Sequence, residues 1–443
     1  MKKYAIILFS IVVVIISALS YNTQHNINKE KYYEKKELLE DLNQVVNIIK
    51  KENPMLHISE EELNNYASYY GNMIEDKMDF ISFYRLLASF SEKIGCGHTY
   101  LDLPGVELNK YFNRKESHLP LDIKVIDDKL YVRSMVYSSD IPVGSEIISI
   151  DNKSAQEIID ILLDRIPSDG RNITFKYGLM NKMFSRVYFD YVDNRESFKI
   201  TYIDPNSNKS TKIIDAELRA SIDGILQSQN GESREITTEF FENYAVLTIP
   251  TFEYYSNVDN KVFQDKIDEF FKTVKENSVN NVIIDIQDNG GGNPLCSDYL
   301  YSYISPKKYT YFDTVPANGI SYSKLATLQN PKANVFEGNL FTLISSFNFS
   351  TTAHFVSLLK YNEIGTLIGE PTGSTYRCTA SQKDIVLKNT DINYIYSTEI
   401  YKTAVEGIDG KMTIEPDIFA PKTIDDYINN RNMARLKAVN LIN

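Results

Sequence analysis

The sequence predicts an α/β protein: a layered core of parallel strands and helices, preceded by a β-rich module and a helical N-terminal region. Three observations predict it. Strand-like and helix-like segments alternate from residue 244 to about 370, at lengths that suit stacked βαβ units. Between 119 and about 205 the pattern shortens to strands broken by the turn pairs DD and DN. Before residue 96, apolar residues recur at helical spacing.

The helical region begins with Leu38, Leu39, Leu42, Val45, Val46 and Ile49, and Pro54 ends that run. Ser59 and Glu62 form a capping box for a second helix. Phe83, Leu86, Leu87, Phe90 and Ile94 line a third, which Gly95 stops. In the β-rich stretch, LPLDIKVIDDKLYVRSM and IPVGSEIISIDN read as strands and SAQEIIDILL as a short helix. ITFKYGL and ESFKITYID read as further strands, and the polar run 226–239 as a boundary. After YAVLTIP come an amphipathic helix with Phe263, Ile267, Phe270, Phe271 and Val274, the strand NVIIDI and a helix from about 295. The strand LFTLIS, a helix from Ser350 and the strand GTLIG follow, with IVLKN and YIYSTEIY as later strands. The expected organisation is a leader at 1–21, a helical region at 22–118, a β-rich module at 119–215, the core at 240–425 and a tail at 426–443.

At 443 residues the chain is long enough for two or three cores. A net charge of −12, with no basic run past the first residues, argues against nucleic acid as a partner. Lys2 and Lys3 precede an uncharged apolar stretch from Ala5 to Leu19. That is an export signal, either removed or kept as a membrane anchor, so the rest of the chain is expected outside the cytoplasmic membrane. The three cysteines, Cys96, Cys296 and Cys378, show no metal-ligand spacing and read as separate thiols, although one disulfide stays open.

The chemistry concentrates in two corners. NVIIDIQDNGGG, residues 281–292, runs a strand into three glycines ahead of a helix. No G-x-G-x-x-G and no following Lys-Ser/Thr is present, so a nucleotide loop is not indicated. Bare backbone N–H groups there suit an oxyanion; the plainer reading is a tight turn. In SSFNFSTTAHF, Ser350 stands where a strand meets a helix. It reads either as an ordinary N-cap or as a nucleophile at the positive end of the helix, with the Thr351 amide beside it.

From these segments the chain resembles the S41 family of serine peptidases, the C-terminal processing and tricorn-type enzymes. DIQDNGGG is similar to the family's D-L-R-x-N-x-G-G, with Gln287 at the Arg position, and N-F-S-T-T-A to its T-x-S-A-A-E. GEPTG, IEPDI and, in the module, IPVGSEIISIDN also look like family sequence. The resemblance implies a crotonase/ClpP-like layered catalytic core with a PDZ-like module. It implies Ser350 as nucleophile, with Gly291 and Thr351 as oxyanion donors. The general-base Lys of the processing enzymes is replaced here by Thr375, whereas KIGCGHTYL resembles the segment that carries a catalytic His in tricorn-type members. His98 is therefore the expected base, ahead of His354, which reads as a partly exposed helical residue four positions from Ser350. A Cys96–His98 pair is a weaker alternative. Glu406, Asp409 and Glu415 are candidates to orient the base, with no choice among them.

The expected function is an exported serine endopeptidase acting on proteins or peptides, with no metal or organic cofactor implied. The alternatives are a non-catalytic exported binding protein on a peptidase scaffold, or a serine esterase.

Overall fold

The computed structural model describes residues 32–102, 117–135, 141–170, 172–218, 234–314, 320–409 and 412–443. The apolar leader at 1–21 and residues 226–233 of the polar boundary lie outside them. Among the described residues no helix is long and apolar enough to cross a membrane.

The N-terminal region holds strand β1 (Tyr32–Glu34), helices α1 (Lys35–Glu52) and α2 (Glu60–Met73), strand β2 (Lys77–Asp79) and helix α3 (Phe80–Glu92). The capping box at Ser59 and Glu62 is present, and a second one joins Glu34 to Glu37 at the start of α1. Leu38, Leu42, Val45, Val46 and Ile49 form the buried stripe of α1. After α3 a short loop leads into strand β3 (Tyr100–Asp102).

The β-rich module follows with β4 (Ser117–His118), β5 (Leu121–Ile126), β6 (Lys129–Met135), β7 (Glu146–Ile150) and β8 (Lys153–Ser154). Next are α4 (Ala155–Arg165), α5 (Ile173–Tyr191), β9 (Ser197–Ile203), β10 (Lys209–Asp215) and β11 (Glu217–Leu218). Its main sheet runs β10-β9-β7-β6-β5. Asp127 and Asp128 both take positive φ, 50° and 57°, which lets a two-residue turn join β5 to β6.

ITFKYGL is helical, not a strand. Ile173, Phe175, Tyr177 and Leu179 alternate over seven residues, but the apolar positions beyond them, Met180, Phe184, Val187, Tyr188 and Tyr191, have helical spacing and are buried. Asn172 opens α5 by accepting the Thr174 N–H, and the helix kinks at Met183 (φ −145°).

The last unit contains β12 (Thr237–Phe240), β13 (Ala245–Thr248), α6 (Asn257–Glu276), β14 (Asn281–Asp285), α7 (Pro294–Tyr301), β15 (Phe312–Thr314) and β16 (Asn339–Ile344). It continues with α8 (Thr351–Tyr361), β17 (Thr366–Gly369), β18 (Arg377–Val386), β19 (Asn393–Thr403), β20 (Ile418–Phe419), α9 (Ile424–Ile428) and α10 (Met433–Ile442). One sheet runs β12-β13-β14-β16-β17-β20, parallel from β13 onward with β12 antiparallel at its edge. Phe263, Ile267, Leu300, Val356 and Leu359 from α6, α7 and α8 pack against Ile284 and Leu340 on one face. Ala434 and Ala438 of α10 pack on Val246, Ile283, Leu343 and Ile368 on the other. The segment after residue 426 is therefore part of the layering. A strand buried on both sides reads as a continuous apolar run, as NVIIDI does.

A further sheet, β15-β19-β18, accepts β3 on β19 with Tyr100 opposite Ile395 and Asp102 opposite Asn393. The helical region is also tied to the β18–β19 turn through Asp41, a fully buried carboxylate on α1. It accepts the Asn389 and Thr390 amides and the Thr390 hydroxyl. These long-range pairings place the loop 95–99 beside the core.

Candidate active site

Ser350 closes the turn between β16 and α8. At the N-cap position its φ is 54° and ψ −125°, a region costly for a residue with a Cβ, and its side chain makes no capping hydrogen bond. Such a conformation costs about 1–3 kcal/mol and persists only where the surroundings enforce it. Asn348 enforces it here: its Oδ1 accepts the Ser345 N–H at 2.7 Å, and its Nδ2 donates to Ile286 O at 2.6 Å and Asn289 O at 3.1 Å. The Ser350 hydroxyl instead meets His98, with Oγ 3.1 Å from Nε2.

The glycine turn is glycine because backbone passes through the space a side chain would need. A Cβ on Gly292 (φ 136°) would stand 2.2 Å from the Phe252 carbonyl carbon. One on Gly291 (φ 117°) would stand 2.9 Å from Ser350 Cβ. Asn289, fully buried, ties this turn to α8: its Oδ1 accepts the Gly291 N–H at 2.9 Å and the Thr352 hydroxyl at 2.7 Å, while its Nδ2 donates to Ile249 O. The Thr351 hydroxyl donates to Gly292 O at 2.5 Å. Of the two expected oxyanion donors, the Gly291 amide is thus engaged by Asn289. The Thr351 amide is the first of α8 and has no acceptor within its own helix.

His98 arrives from the other end of the chain. Pairing of β3 with β19 fixes the strand just after it, and a buried polar knot fixes the loop just before it. In that knot Asn53 Nδ2 donates to Ser397 O, and Cys96 Sγ lies 3.0 Å from Ser397 Oγ and 2.9 Å from Thr379 Oγ1. Cys96 is thus bonded away from His98. The His98 ring rests on Phe349 at 4.6 Å between centroids, and Phe349 stacks on Phe175 of α5. Burial leaves the imidazole 7 % exposed and lowers its pKa from 6.5 to about 4. Its Nδ1 is buried without a hydrogen-bond partner. Glu406, Asp409 and Glu415 are all exposed, and none bonds to it. Thr375, at the position of the missing Lys, is buried and donates to Arg377 O.

Two features were not legible in sequence. Asp169 is a buried carboxylate beside the His98 loop: Oδ1 accepts the Gly97 N–H at 3.0 Å and Oδ2 the Ser374 hydroxyl at 2.5 Å. Burial raises its pKa to about 6 against those two bonds. Its only local signal is the turn-like SDG. His354 corrects an expectation, for it is buried (2 % exposed), not partly exposed. The helix face shared with Ser350 is covered by β18 and β19, where Nδ1 meets Thr403 Oγ1 at 2.8 Å and Nε2 meets Cys378 Sγ at 3.0 Å. All three cysteines are free and buried.

A cleft of about 920 Å³ opens beside the glycine turn, lined by Gln287, Gly290, Gly291 and Phe347 of the core and by Asn181 and Lys182 of α5. Ser350 and His98 are not in its lining; Gly291, where an added Cβ would stand 2.9 Å from Ser350 Cβ, is.

Residues 243–419 match the sequence profile of peptidase family S41. That segment, under half of the chain, is similar to the core of S41 peptidases. By that match the chain is a serine-type peptidase, and its mixed α/β architecture of helical and β-sheet modules agrees. The fold is similar to that of mature CPAF, with a TM-score of 0.65 at 14 % identity over 92 % of this chain and 96 % of that one. A mutant form of CPAF gives 0.67 at 13 % identity, over 92 % and 98 % of the two chains. At such identities the likeness is one of fold alone. None of the curated proteins matches this chain. Within the S41 segment lie the glycine turn, Ser350, Thr351, His354 and Cys378; His98 lies outside it.

Proposed function

We propose that this protein is an extracytoplasmic serine endopeptidase in which Ser350 is the nucleophile and His98 its general base. The observation that carries the reading is the 3.1 Å approach of Ser350 Oγ to His98 Nε2, made by a serine that occupies a cap position without capping. A neutral His98 with its proton on Nδ1 presents a lone pair to the Ser350 hydroxyl. It accepts that proton as Oγ attacks a peptide carbonyl and returns it to the leaving amine; water then attacks the acyl-enzyme by the same route. The Thr351 amide, at the positive end of α8, binds the developing oxyanion. The Gly291 amide is the second donor. A developing negative charge is a stronger acceptor than the neutral Asn289 amide oxygen and draws that N–H away from it.

The core is read as the crotonase/ClpP-like layer and residues 119–215 as the PDZ-like module. The module forms one wall of the cleft with Lys124 and Arg133, where it holds a peptide or governs entry. The apolar stretch near the N-terminus supports export, with or without a retained anchor.

The test is degradation of an unfolded protein and a peptide pool by the purified protein, beside Ser350→Ala and His98→Ala, with products read by mass spectrometry. Cleavage by the wild type and loss in both variants is expected. Hydrolysis of activated esters without peptide cleavage would make it an esterase. Equal inactivity of wild type and S350A would move the reading to a binding protein on this scaffold.

A further inference from the structure

The loop that carries His98 is gripped from the β-rich module as well as from the core. The loop between α4 and α5 meets the loop after α3 and pairs with it twice. Gly170 donates its N–H to Gly95 O at 2.8 Å, and Gly97 donates its N–H to Asp169 Oδ1 at 3.0 Å. Gly95 and Gly170 take φ of 66° and 63° at this crossing, where glycine carries no Cβ penalty.

Asp169 reaches a third segment with its other oxygen. Oδ2 accepts the Ser374 hydroxyl at 2.5 Å, in the turn between β17 and β18. Asn172 fastens the same turn by donating Nδ2 to Thr372 O at 3.3 Å. Between these two contacts Gly373 donates its N–H to Asn348 O at 2.8 Å. Asn348 is the residue whose side chain enforces the strained corner at Ser350. A carboxylate only 2 % exposed thus joins the residue before the proposed base to the turn that braces the proposed nucleophile.

The need for such a grip is local. Cys96 and Thr99 are held by the buried knot around Ser397, which leaves Gly97 and His98 between the anchors. Glycine has more backbone freedom than any other residue, and rotation at Gly97 would swing the imidazole. The bond to Asp169 removes that freedom.

We propose that Asp169 is a positioning residue of this site: its two carboxylate oxygens hold Gly97, and with it His98, in register with the turn that braces Ser350. The inference rests on the Ser350–His98 reading above. Asp169 does not bond to the imidazole, whose Nδ1 has no partner, so it decides where the base stands and not its charge.

That distinction fixes what each substitution does. In Asp169→Asn the amide oxygen still accepts from Gly97, and the amide nitrogen donates to the Ser374 oxygen in place of receiving its proton. In Asp169→Ala both bonds are lost and the Gly97 N–H is left without its acceptor. Ser374→Ala removes the second grip alone. The experiment measures the rate of Ser350 labelling by a fluorophosphonate, peptide kcat and KM, and the melting temperature. Wild type, H98A, D169A, D169N and S374A are compared, each assayed well below its own melting point. D169A is expected to lose at least about tenfold in labelling rate and kcat with KM unchanged, since a misplacement of about 1 Å costs up to ~10²-fold. D169N should recover most of that loss, and S374A should fall between. A carboxylate that only stabilises the fold would lower the melting temperature and leave turnover alone, so wild-type kcat and labelling in D169A would overturn the inference. D169N as slow as D169A would overturn it too, because charge and not hydrogen bonding would then be at work. If D169A does not fold, S374A decides, and wild-type turnover there would overturn the inference. A wild type that is not labelled at Ser350, or that H98A matches in labelling, would overturn the Ser350–His98 assignment and this inference with it.

Discussion

Gly97 lies against the ring of Phe349: a Cβ added to it would stand 2.6 Å from Phe349 Cζ and 3.3 Å from Asp169 Oδ1. Phe349 is the residue before the proposed nucleophile and Gly97 the residue before the proposed base, so each corner of the site is shaped by the other. Gly97→Ala must displace the ring or the loop, an overpacking cost of about 1–3 kcal/mol. The expected outcome is a folded protein whose kcat falls at least tenfold because His98 is moved from Ser350. Circular dichroism and peptide kinetics check it, and wild-type kcat in G97A would remove Phe349 from any part in seating His98.

The acid limb of activity should lie below that of an ordinary histidine. His98 is held neutral by burial down to a pKa of about 4, so loss of the base by protonation begins only as pH approaches that value. A pH profile of kcat/KM is expected to stay near its neutral-pH value at pH 5.5. A limb centred at 6.5 or higher would show that substrate or solvent brings His98 Nδ1 a partner that stabilises the imidazolium.

Stability should respond to pH through two opposed sets of buried groups, histidines shifted down (His98, His118, His354) and carboxylates shifted up (Asp169, Asp285, Asp298). The His98 pKa is depressed on folding, so its contribution is full above 6.5 and is lost as pH falls toward 4. Asp169 is shifted up, from 3.8 to about 6, so its contribution is full below 3.8 and is lost as pH rises through 6. Each shift corresponds to about 3 kcal/mol across its window. Asp169→Asn removes the Asp169 share of the downward slope and leaves the rest, so its stability should climb more steeply, or fall less, from pH 4 to 6.5 than that of the wild type. Urea unfolding at half-unit pH steps measures this, and parallel curves for the two proteins would contradict it.

Backbone strain at Ser350 can be read from two inactive variants. At φ 54°, ψ −125°, glycine sits without the Cβ penalty that alanine incurs. Ser350→Gly and Ser350→Ala should both abolish cleavage, but S350G should be the more stable by about 1 kcal/mol. Thermal melting compares them; an S350A that melts higher would mean the corner is relaxed.

The sequence carried the corners better than their meeting. The strand-to-helix step at Ser350, the glycine turn and the buried face of α8 each depend on neighbours within a few residues, and all three are legible. ITFKYGL misleads because seven residues are too few to separate an alternating pattern from a helical one. His98 stands 252 residues from Ser350, and only the pairing of β3 with β19 brings it in. No local pattern encodes that register; the family resemblance, not spacing, singled it out. Cys378 has no local signature and Asp169 only a turn-like one, because their neighbours come from far along the chain: His354 of α8 for Cys378, and Gly97 and Ser374 for Asp169. The exposure expected of His354 failed for the same reason: a helix pattern says which side faces a core, not what a later hairpin will cover.

The pairing of β3 with β19 also sets when the site can exist during synthesis. A growing chain that has reached Tyr361 already holds Ser350, α8 and His98, yet the strand that seats the base has not been made. Asp41 likewise waits for Asn389 and Thr390 before α1 can lock onto the core. The proposed Ser350–His98 pair is therefore expected to form as a late step at the completion of β19, rather than growing with length. A chain that stops short of β19 contains both residues but lacks the strand on which β3 pairs.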